Sequence, residues 1–454
     1  MDSAEFEKFK ELITIFNSHS SANAEKNRYY EGKIKLNEVN LGIALPEELI
    51  KLEIGCNWGA NMVDVLAQRS MFDGFVGTNG DSVEELDSIA EANNLVAEYA
   101  KACRDELKYG CTFATLSADQ NIKCKIRFHS PETAAAKWDG ENGRIERSFA
   151  IIDTRPDNNT EDWTPSLINY YTVDSIYVLE RNGNYWSAER YLHNMGRPLM
   201  EALIWNATSK KPFGRSRIKW TIRNLMNGYV RTVANATIGL EFATSPQKYL
   251  LGVTDEQYDS LINQKFRQYV GSIIAATSNP VNNEKPTFGQ LSQGSISPHV
   301  EMLKILATQF SAASGLTVTD TGVVSEANPT SADAVLAQSQ TLVGKAEQLN
   351  VSNGNALKNI ALMALAIAHN TSFDGLSDEQ RDVMAHFKNP AMPSIAVSTD
   401  AAIKIASVRK SFADTDMFLE MIGFSKADIR RIKNEEQRAR GSQILQEEFS
   451  GNNE

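Results

Sequence analysis

The sequence predicts an α+β protein with a mixed helix-and-strand body in its first half and mainly long helices in its second half. All six tryptophans lie at or before Trp220, in the part where strand patterns occur. From residue 217 onward, two segments, 217–242 and 330–369, have helical periodicity over far more than the usual helix length. A chain of 454 residues can form two or three domains, each with its own core.

The first 110 residues are predicted to be mostly helical. One helical face near the N-terminus carries a periodic set of apolar residues: Phe6, Phe9, Leu12, Ile13 and Phe16. We expect a break within residues 27–36 and a helix within 61–77 that ends in a turn at Asp73–Gly74. Residues 81–110 predict one helix or a helix pair that ends at Gly110.

Residues 111–190 change to strand patterns. Apolar residues alternate at Ile122, Cys124, Ile126 and Phe128, which is the period of a half-buried strand. Asn182–Gly183 lies between two strand-like runs and predicts a β-hairpin.

The segment 217–242 carries a narrow apolar stripe on a long helix. Its members recur at steps of three and four residues: Ile218, Ile222, Leu225, Tyr229, Val233, Ala236 and Leu240. A narrow seam of this kind usually packs against another long helix. A second helix is expected over 297–315, with Ser297 as N-cap, Pro298 in the first turn and Gly315 at its end.

A third long helix is expected over residues 330–369. Gly344 and residues 352–355 predict kinks, so a broken helix is expected rather than a straight rod. Residues 389–398 predict a short edge strand, and residues 424–441 predict a charged helix.

Composition restricts the classes of function. The net charge of −11 disfavours a protein that grips nucleic acid with clustered cations, but it allows one that surrounds DNA without holding it. The four cysteines form no C-x-x-C pair, which suggests reduced thiols in a cytosolic setting. The N-terminal residues lack the apolar core of a signal peptide, and the longest apolar run, residues 360–368, is too short to span a bilayer. We therefore expect no membrane association.

The motifs of common catalytic sites are missing from the sequence. It contains no phosphate-binding G-x-x-x-x-G-K-[ST] loop, no H-x-x-x-H or H-E-x-x-H spacing and no G-x-S-x-G elbow. We predict no catalytic residue, no cofactor and no metal site. The alternative is a cytosolic hydrolase or transferase whose site is assembled from distant residues under a helical lid.

Residues 315–344 contain no lysine and no arginine, although about one residue in ten of the chain is basic. The charged residues of this segment are Asp320, Glu326 and Asp333. A plain uncharged loop that leads into an apolar helix would explain this pattern. A wall that faces a moving polyanion would explain it equally.

Several segments resemble phage portal proteins of the siphophage, Gp6-like type. The first match covers residues 28–49 and 56–75, where the shared positions are Tyr29, Tyr30, Gly32, Asn57, Trp58, Val63, Asp64, Gly74 and Phe75. Later matches are residues 211–218 with Gly214 and Ser216, residues 328–342, and residues 398–406 with Asp400, Ala401 and Lys404. The order and spacing agree across almost the whole chain.

The resemblance implies a portal architecture with a wing, a helical stem, a small clip and a helical crown, assembled as a ring of typically twelve subunits. The implied divisions follow the chain: 1–216 wing, 217–245 first stem helix, 246–296 clip, 297–315 second stem helix, 316–329 channel loop, 330–369 long channel and wing helix, 370–410 wing, and 411–454 crown.

The implied function is a structural, non-enzymatic conduit for DNA packaging and ejection at one capsid vertex. The implied partners are further copies of the chain, double-stranded DNA in the channel, the large terminase subunit, the head–tail adaptor, and the major capsid or scaffold protein. The implied location is the virion, with the host cytoplasm during assembly.

Three groups of residues would serve this function. The channel loop would present Thr317, Thr319, Asp320, Thr321, Val324, Ser325, Glu326 and Asn328. Packing between stems would use Ile222, Leu225, Tyr229, Val233 and Leu240. The clip would meet the motor or the adaptor through Asn279, Asn282, Asn283, Glu284 and Lys285.

Overall fold

Two compact units, Met1–Lys388 and Asn389–Glu454, make up the chain in a computed structural model. The structure describes residues 1–35, 54–77, 83–156, 163–183, 185–244, 248–251, 287–290, 295–323, 332–391, 395–424 and 426–451. Within these residues no helix is both long enough and apolar enough to cross a membrane.

Four helices open the first unit: α1 (Ser3–Tyr30), α2 (Trp58–Arg69), α3 (Glu84–Ala92) and α4 (Leu95–Tyr109). Asp2 caps α1 by accepting a hydrogen bond from the Glu5 backbone N–H at 2.8 Å. Gly110 ends α4 with φ of +115°, and a Cβ added there would lie 3.1 Å from the Arg215 backbone. A glycine is therefore required both for the left-handed turn and for the close approach of the chain that leads into the next long helix.

Strands β1 to β9 follow or lie between these helices: β1 (Phe72–Val76), β2 (Cys111–Asp119), β3 (Lys123–His129), β4 (Ala134–Asp139), β5 (Arg144–Pro156), β6 (Trp163–Tyr171), β7 (Ser175–Asn182), β8 (Tyr185–Leu192) and β9 (Met200–Ile204). They form a three-stranded sheet in the order β3-β2-β9 and a five-stranded sheet in the order β4-β5-β6-β7-β8. The pairs within both sheets are antiparallel. Phe9 and Leu12 of α1 cover one face of the five-stranded sheet and form a small core with Phe149 and Tyr170.

Long helices follow the sheets: α5 (Trp220–Thr244), α6 (Ser297–Ser314) and α7 (Ala332–Ala368). A short antiparallel pair, β10 (Lys248–Leu251) and β11 (Thr287–Gln290), lies between α5 and α6 in sequence. The unit closes with α8 (Asp378–Arg381) and β12 (Met384–Phe387), which pairs with β1. Residues 360–366 of α7 are all buried, so this part of the helix lies inside the main core rather than on its surface.

The second unit is helical. It contains α9 (Ile395–Val408), α10 (Asp416–Ile422) and α11 (Lys426–Gly451). Lys404 and Asp400 form an ion pair one turn apart on α9, at 2.6 Å.

Several predicted elements are confirmed. The helix pair over 81–110, the strand over 122–128 and the hairpin at Asn182–Gly183 are all present. The helix over 297–315 is present too, with Pro298 in its first turn and Gly315 as its left-handed C-cap at φ +81°. The expected N-cap is wrong: Ser297 is the first helical residue, and Ile296 occupies the N-cap position.

Three further local predictions are wrong. Residues 73–74 lie within strand β1, because pairing with the distant strand β12 holds them extended, with a register shift next to Gly74. Helix α7 is continuous through Gly344 and residues 352–355, because its neighbours bury and bond this part. The predicted edge strand at 389–398 is replaced from Ile395 onward by helix α9.

Candidate functional site

The described part of the cation-free segment begins where helix α6 ends. Gly315 closes the helix, and Leu316 after it is buried. The Ser311 hydroxyl donates to the Leu316 carbonyl at 2.6 Å. The chain therefore leaves α6 in a defined direction.

A short 3₁₀ turn, Thr319–Thr321, follows and is stabilised by its own side chains. The Asp320 carboxylate accepts a hydrogen bond from the Thr317 backbone N–H at 2.8 Å. The hydroxyls of Thr317 and Thr319 are 2.7 Å apart. Asp320 thus has a structural role inside the turn, as acidic residues often do at such positions.

Helix α2 supports this turn from the side. The Trp58 indole N–H donates to the Thr321 carbonyl at 3.0 Å, and the Asn61 side-chain amide donates to the Asp320 carbonyl at 3.2 Å. The Trp58 ring lies between Tyr229 of α5 and Phe310 of α6, with ring centroids 4.6 and 4.8 Å away. One buried tryptophan therefore joins α2, both long helices and the segment after them.

Two cations meet at the C-terminal end of α6. Arg217 Nη2 and Lys345 Nζ each donate to the Ser314 carbonyl at 2.9 Å. The end of a helix carries partial negative charge, which stabilises positive side chains there. Burial lowers the pKa of Arg217 to about 10, so its guanidinium stays charged at neutral pH.

Lys345, the cation that ends the uncharged segment, is directed inward to this carbonyl. Burial lowers its pKa, and the neighbouring charge of Arg217 lowers it further. A Cβ added at Gly315 would lie 2.3 Å from the Lys345 ammonium nitrogen, so the glycine makes room for it. Arg217 and Lys345 are thereby both directed to the Ser314 carbonyl.

Half of the predicted channel residues lie within the described part of the chain. Thr319 is exposed, Thr317 and Asp320 are half-buried, and Thr321 is only 8% exposed. The burial of Thr321 leaves little of its surface for a channel, because its hydroxyl donates to the Val318 carbonyl and its own carbonyl binds Trp58. Val324, Ser325, Glu326 and Asn328 lie outside the described residues.

The five predicted stem contacts differ in their surroundings. Ile222 is 2% exposed and belongs to the core of its own chain, which leaves it no surface for another copy. Leu225 and Tyr229 pack partly against that core, Val233 is half-buried and Leu240 is exposed.

The buried apolar residues of α5 recur at four-residue steps, Ile222, Met226, Val230 and Ala234, and Ile218 just before the helix continues the series. This seam includes α6 of the same chain, since a Cβ added at Gly228 would lie 3.2 Å from the Leu306 side chain. Helix α6 contributes Leu306, Ala307 and Phe310 to the contact and leaves Met302 and Ile305 exposed.

The predicted clip residues Asn279, Asn282, Asn283, Glu284 and Lys285 lie outside the described residues. Their contacts with a motor or an adaptor stay a prediction.

The residues of the first matched segment pack around the start of α5. Tyr29 donates to the Asn227 side chain at 2.8 Å, and Tyr30 donates to Asp64 at 2.9 Å. A Cβ added at Gly59 would lie 2.4 Å from the Tyr29 carbonyl oxygen. The residues of the first matched segment therefore hold helices α1, α2 and α5 in close contact.

A buried polar cluster joins α4 to α7. The Asn353 amide nitrogen donates to Glu106 at 2.7 Å and to the Tyr99 hydroxyl at 2.9 Å. The other Glu106 oxygen is buried and has no hydrogen-bond partner among the described residues. Burial raises the pKa of Glu106 to about 8, so the carboxyl is mainly neutral at neutral pH.

Sequence reasoning missed this cluster and the cation pair on Ser314. Lys345 directly follows the uncharged segment in sequence, but Arg217, which donates to the same carbonyl, lies more than 120 residues earlier. The sequence motif identifies Trp58, but it does not predict the hydrogen bond from Trp58 to the Thr321 carbonyl. Across the described residues, His, Cys, Asp and Glu side chains form no group of three that could hold a metal ion.

Comparison with known proteins gives one consistent result. The family model described as "Phage portal protein, SPP1 Gp6-like" matches residues 10–203. The portal protein of Mycobacterium phage L5 is 23% identical over 452 residues, which cover 96% of this chain and 90% of that protein. The portal protein of Mycobacterium phage D29 is 22% identical over 453 residues, with the same coverage.

Among solved structures, similar chains occur in gene transfer agent (GTA) particles. A chain in the neck of the empty particle has a TM-score of 0.47 and 14% identity, covering 82% of this chain and 92% of that one. A chain in the virion of the native particle has a TM-score of 0.45 and 12% identity, covering 78% and 85%.

Proposed function

We propose that the chain is a phage portal protein of the SPP1 Gp6-like family, and that copies of it close into a ring of twelve at one vertex of the capsid. The observation that carries this proposal is the similarity to two portal proteins along nearly the whole chain, in addition to the family match over residues 10–203. The ring is the conduit for DNA packaging and ejection. It is part of the virion and assembles in the host cytoplasm.

The proposed divisions of the chain follow from the family. Helices α5 and α6 form the stem, residues 246–296 form the clip, and residues 316–329 form the channel loop. The wing comprises residues 1–216 and 370–410, helix 330–369 connects the channel to it, and residues 411–454 form the crown. The clip docks the large terminase subunit during packaging and the head–tail adaptor afterwards, and the outer surface meets the capsid or scaffold protein.

Exposed apolar side chains on the stem helices support the proposal of a homo-oligomer. Met302 and Ile305 of α6 and Leu240 of α5 are large apolar side chains that their own chain leaves exposed. In a cyclic ring each copy contacts the next through two different surfaces, so such side chains are covered by a neighbour. The proposed contacts between stems are therefore Leu240, Val233, Met302 and Ile305 rather than Ile222.

The uncharged channel segment supports passage of DNA without retention. A lysine at one position would be repeated in every copy, and each phosphate contact adds salt-dependent affinity for the duplex. Arg217 and Lys345, the cations that hold the base of the segment, are bound to the Ser314 carbonyl. The role is structural, and no catalytic step is assigned to it.

Imaging of the purified protein tests the proposal. Twelve copies of 50.3 kDa have a mass of about 604 kDa. We expect ring-shaped top views with a central hole by electron microscopy and a matching mass by light scattering. Compact particles of one or two copies, both for the protein alone and for protein taken from phage heads, would overturn it.

A further inference from the structure

A cavity of about 560 Å³ lies between α1, strand β4 and the segment that leads into α5. It is lined along α1 from Ile15 to Lys26, along β4 at residues 134–136, and along the chain from Lys211 to Arg223. Its volume is within the range of cavities that hold a small ligand or a few residues of a peptide. None of the predicted site residues contributes to it.

The lining of this cavity is strongly basic. The cations are Lys26, Lys211, Arg215, Lys219 and Arg223, whereas Glu25 is the one acidic residue of the lining. Glu25 is already paired with Arg223. The remaining charge is positive on a chain whose net charge is −11.

Most of these cations have no acidic partner in the described part of the chain. Lys26 is half-buried and donates to the Asn23 side-chain oxygen at 3.0 Å and to the Tyr109 carbonyl at 3.2 Å, both of which are neutral acceptors. Lys211, Arg215 and Lys219 are exposed, and within the described residues none of them forms an ion pair. An arriving carboxylate would meet free donors.

Apolar side chains line the same cavity. Phe16, Ala134 and Phe213 contribute to its walls. The Phe213 ring is held edge-on against Phe113 and Trp138, with centroids 5.8 and 5.5 Å away. Trp220 also lines the cavity and is 70% exposed, although buried positions are usual for tryptophan in a folded chain.

We propose that this cavity binds an acidic peptide segment of a partner protein, with its carboxylates on Lys211, Arg215 and Lys219 and one apolar side chain against Phe16 and Phe213. Charge complementarity favours such a segment, because an acidic chain repels acidic partners everywhere except at a basic patch. The apolar walls favour a peptide over a phosphate backbone, which offers no apolar side chain to fill them. The site lies within one copy and does not depend on ring closure.

The test uses the full-length protein in the assembly state in which it is purified, on an immobilised array of random octapeptides. Wild-type protein should be retained best by octapeptides that combine several Asp or Glu residues with one aromatic or aliphatic residue. The double variant Lys211→Gln/Lys219→Gln should lose at least tenfold in affinity for the same peptides, and the wild-type affinity should fall when the salt concentration is raised.

The matched control is Lys101→Gln/Lys304→Gln, which removes the same charge at exposed positions outside the cavity. It should bind as the wild-type protein does. The proposal is overturned if acidic octapeptides are not enriched, if both double variants lose the same affinity, or if a short DNA duplex binds the cavity more tightly than the peptides. A change in particle mass for Lys211→Gln/Lys219→Gln would assign the cavity to a neighbouring copy and would overturn it too.

Discussion

At the scale of single residues, buried polar groups hold the structure together at the points where distant segments meet. The Trp58 indole N–H donates a hydrogen bond to the Thr321 carbonyl, and Arg217 and Lys345 both donate to the Ser314 carbonyl. Glu106 is a buried carboxyl group, and within the described residues one of its two oxygens has no hydrogen-bond partner. A lone buried carboxylate is costly, so this side chain is protonated over much of the pH range in which ordinary glutamates are charged.

Replacement of Glu106 by glutamine tests this protonation. The pKa of Glu106 is about 8 in the folded chain against an ordinary value of 4.5, so the folded chain holds one proton more than the unfolded chain between those pH values. The free energy of unfolding of the wild-type protein therefore falls as pH rises through this window. The glutamine side chain stays neutral at every pH in this window. Glu106→Gln should therefore be more stable than the wild-type protein at pH 8 by a few kcal/mol, since each pKa unit corresponds to about 1.4 kcal/mol.

Denaturant unfolding at pH 5 and pH 8 measures this difference. Glu98→Gln on the same helix is the control, because Glu98 is partly exposed and pairs with Lys101. It should change stability by less than about 1 kcal/mol, as for other surface pairs. A difference between Glu106→Gln and wild type that is equal at the two pH values would contradict the neutral carboxyl.

At the scale of elements, the two long helices α5 and α6 pack against each other and against α2. Their shared seam buries Met226, Val230 and Phe310, and Gly228 allows the close approach. Helix α6 keeps a second, exposed apolar surface at Met302 and Ile305. The pair is thus complete on one side, while on the other side it has apolar surface available for a further helix.

The variant Ile305→Asp tests whether this exposed surface joins neighbouring copies. Ile305 is 52% exposed, so the change should alter the stability of the single chain by only about 0.5 kcal/mol. A charge buried between copies would be far more costly, so we expect the particle mass to fall while the circular dichroism spectrum is retained. Thr308→Asp places the same charge one turn away at an exposed polar position and should leave the mass unchanged. Rings of normal mass from Ile305→Asp would contradict the contact.

At the scale of the whole molecule, the first unit brings its N-terminal helices and the two long helices α5 and α6 to one junction. Five parts of the chain meet near Trp58: helix α1, helix α2, the first half of α5, the end of α6 and the start of the cation-free segment. The described start of the cation-free segment is thus anchored to the body of the first unit. In a ring, every copy would present the same anchored segment toward the axis.

Thr319→Lys tests the uncharged surface of that segment. Thr319 is exposed, whereas Asp320 is tied to the Thr317 N–H, so a change at Asp320 would disturb the turn itself. A lysine at 319 in every copy should slow packaging and lower the DNA content of heads, and higher salt should relieve the effect because phosphate contacts are salt-dependent. Thr319→Gln, which adds length without charge, should package DNA as the wild-type protein does. Equal DNA content in heads of Thr319→Lys, Thr319→Gln and wild type would contradict the idea that the lack of positive charge in this segment allows DNA to pass.

Local sequence patterns predicted turns, caps and helices that depend on neighbouring residues. They did not predict features that depend on contacts between residues distant in sequence. The helix pair ending at Gly110, the Asn182–Gly183 hairpin and the Gly315 cap depend on neighbouring residues, and all three are confirmed. The turn at Asp73–Gly74 and the kink at residues 352–355 were wrong. Strand β12 and the Glu106 side chain, which override those local signals, are distant in sequence.

The sequence by itself determined the mixed fold class, the long helices and, through ordered motif residues, the resemblance to phage portal proteins. It also determined that residues 315–344 carry no lysine or arginine, because this is a property of composition. Only the tertiary structure decided that Ile222 and Thr321 face inward, that Asp320 caps its own turn, and that Arg217 and Lys345 converge on one carbonyl. Periodicity tells which residues share a face of a helix, but which neighbour covers that face depends on packing between segments hundreds of residues apart.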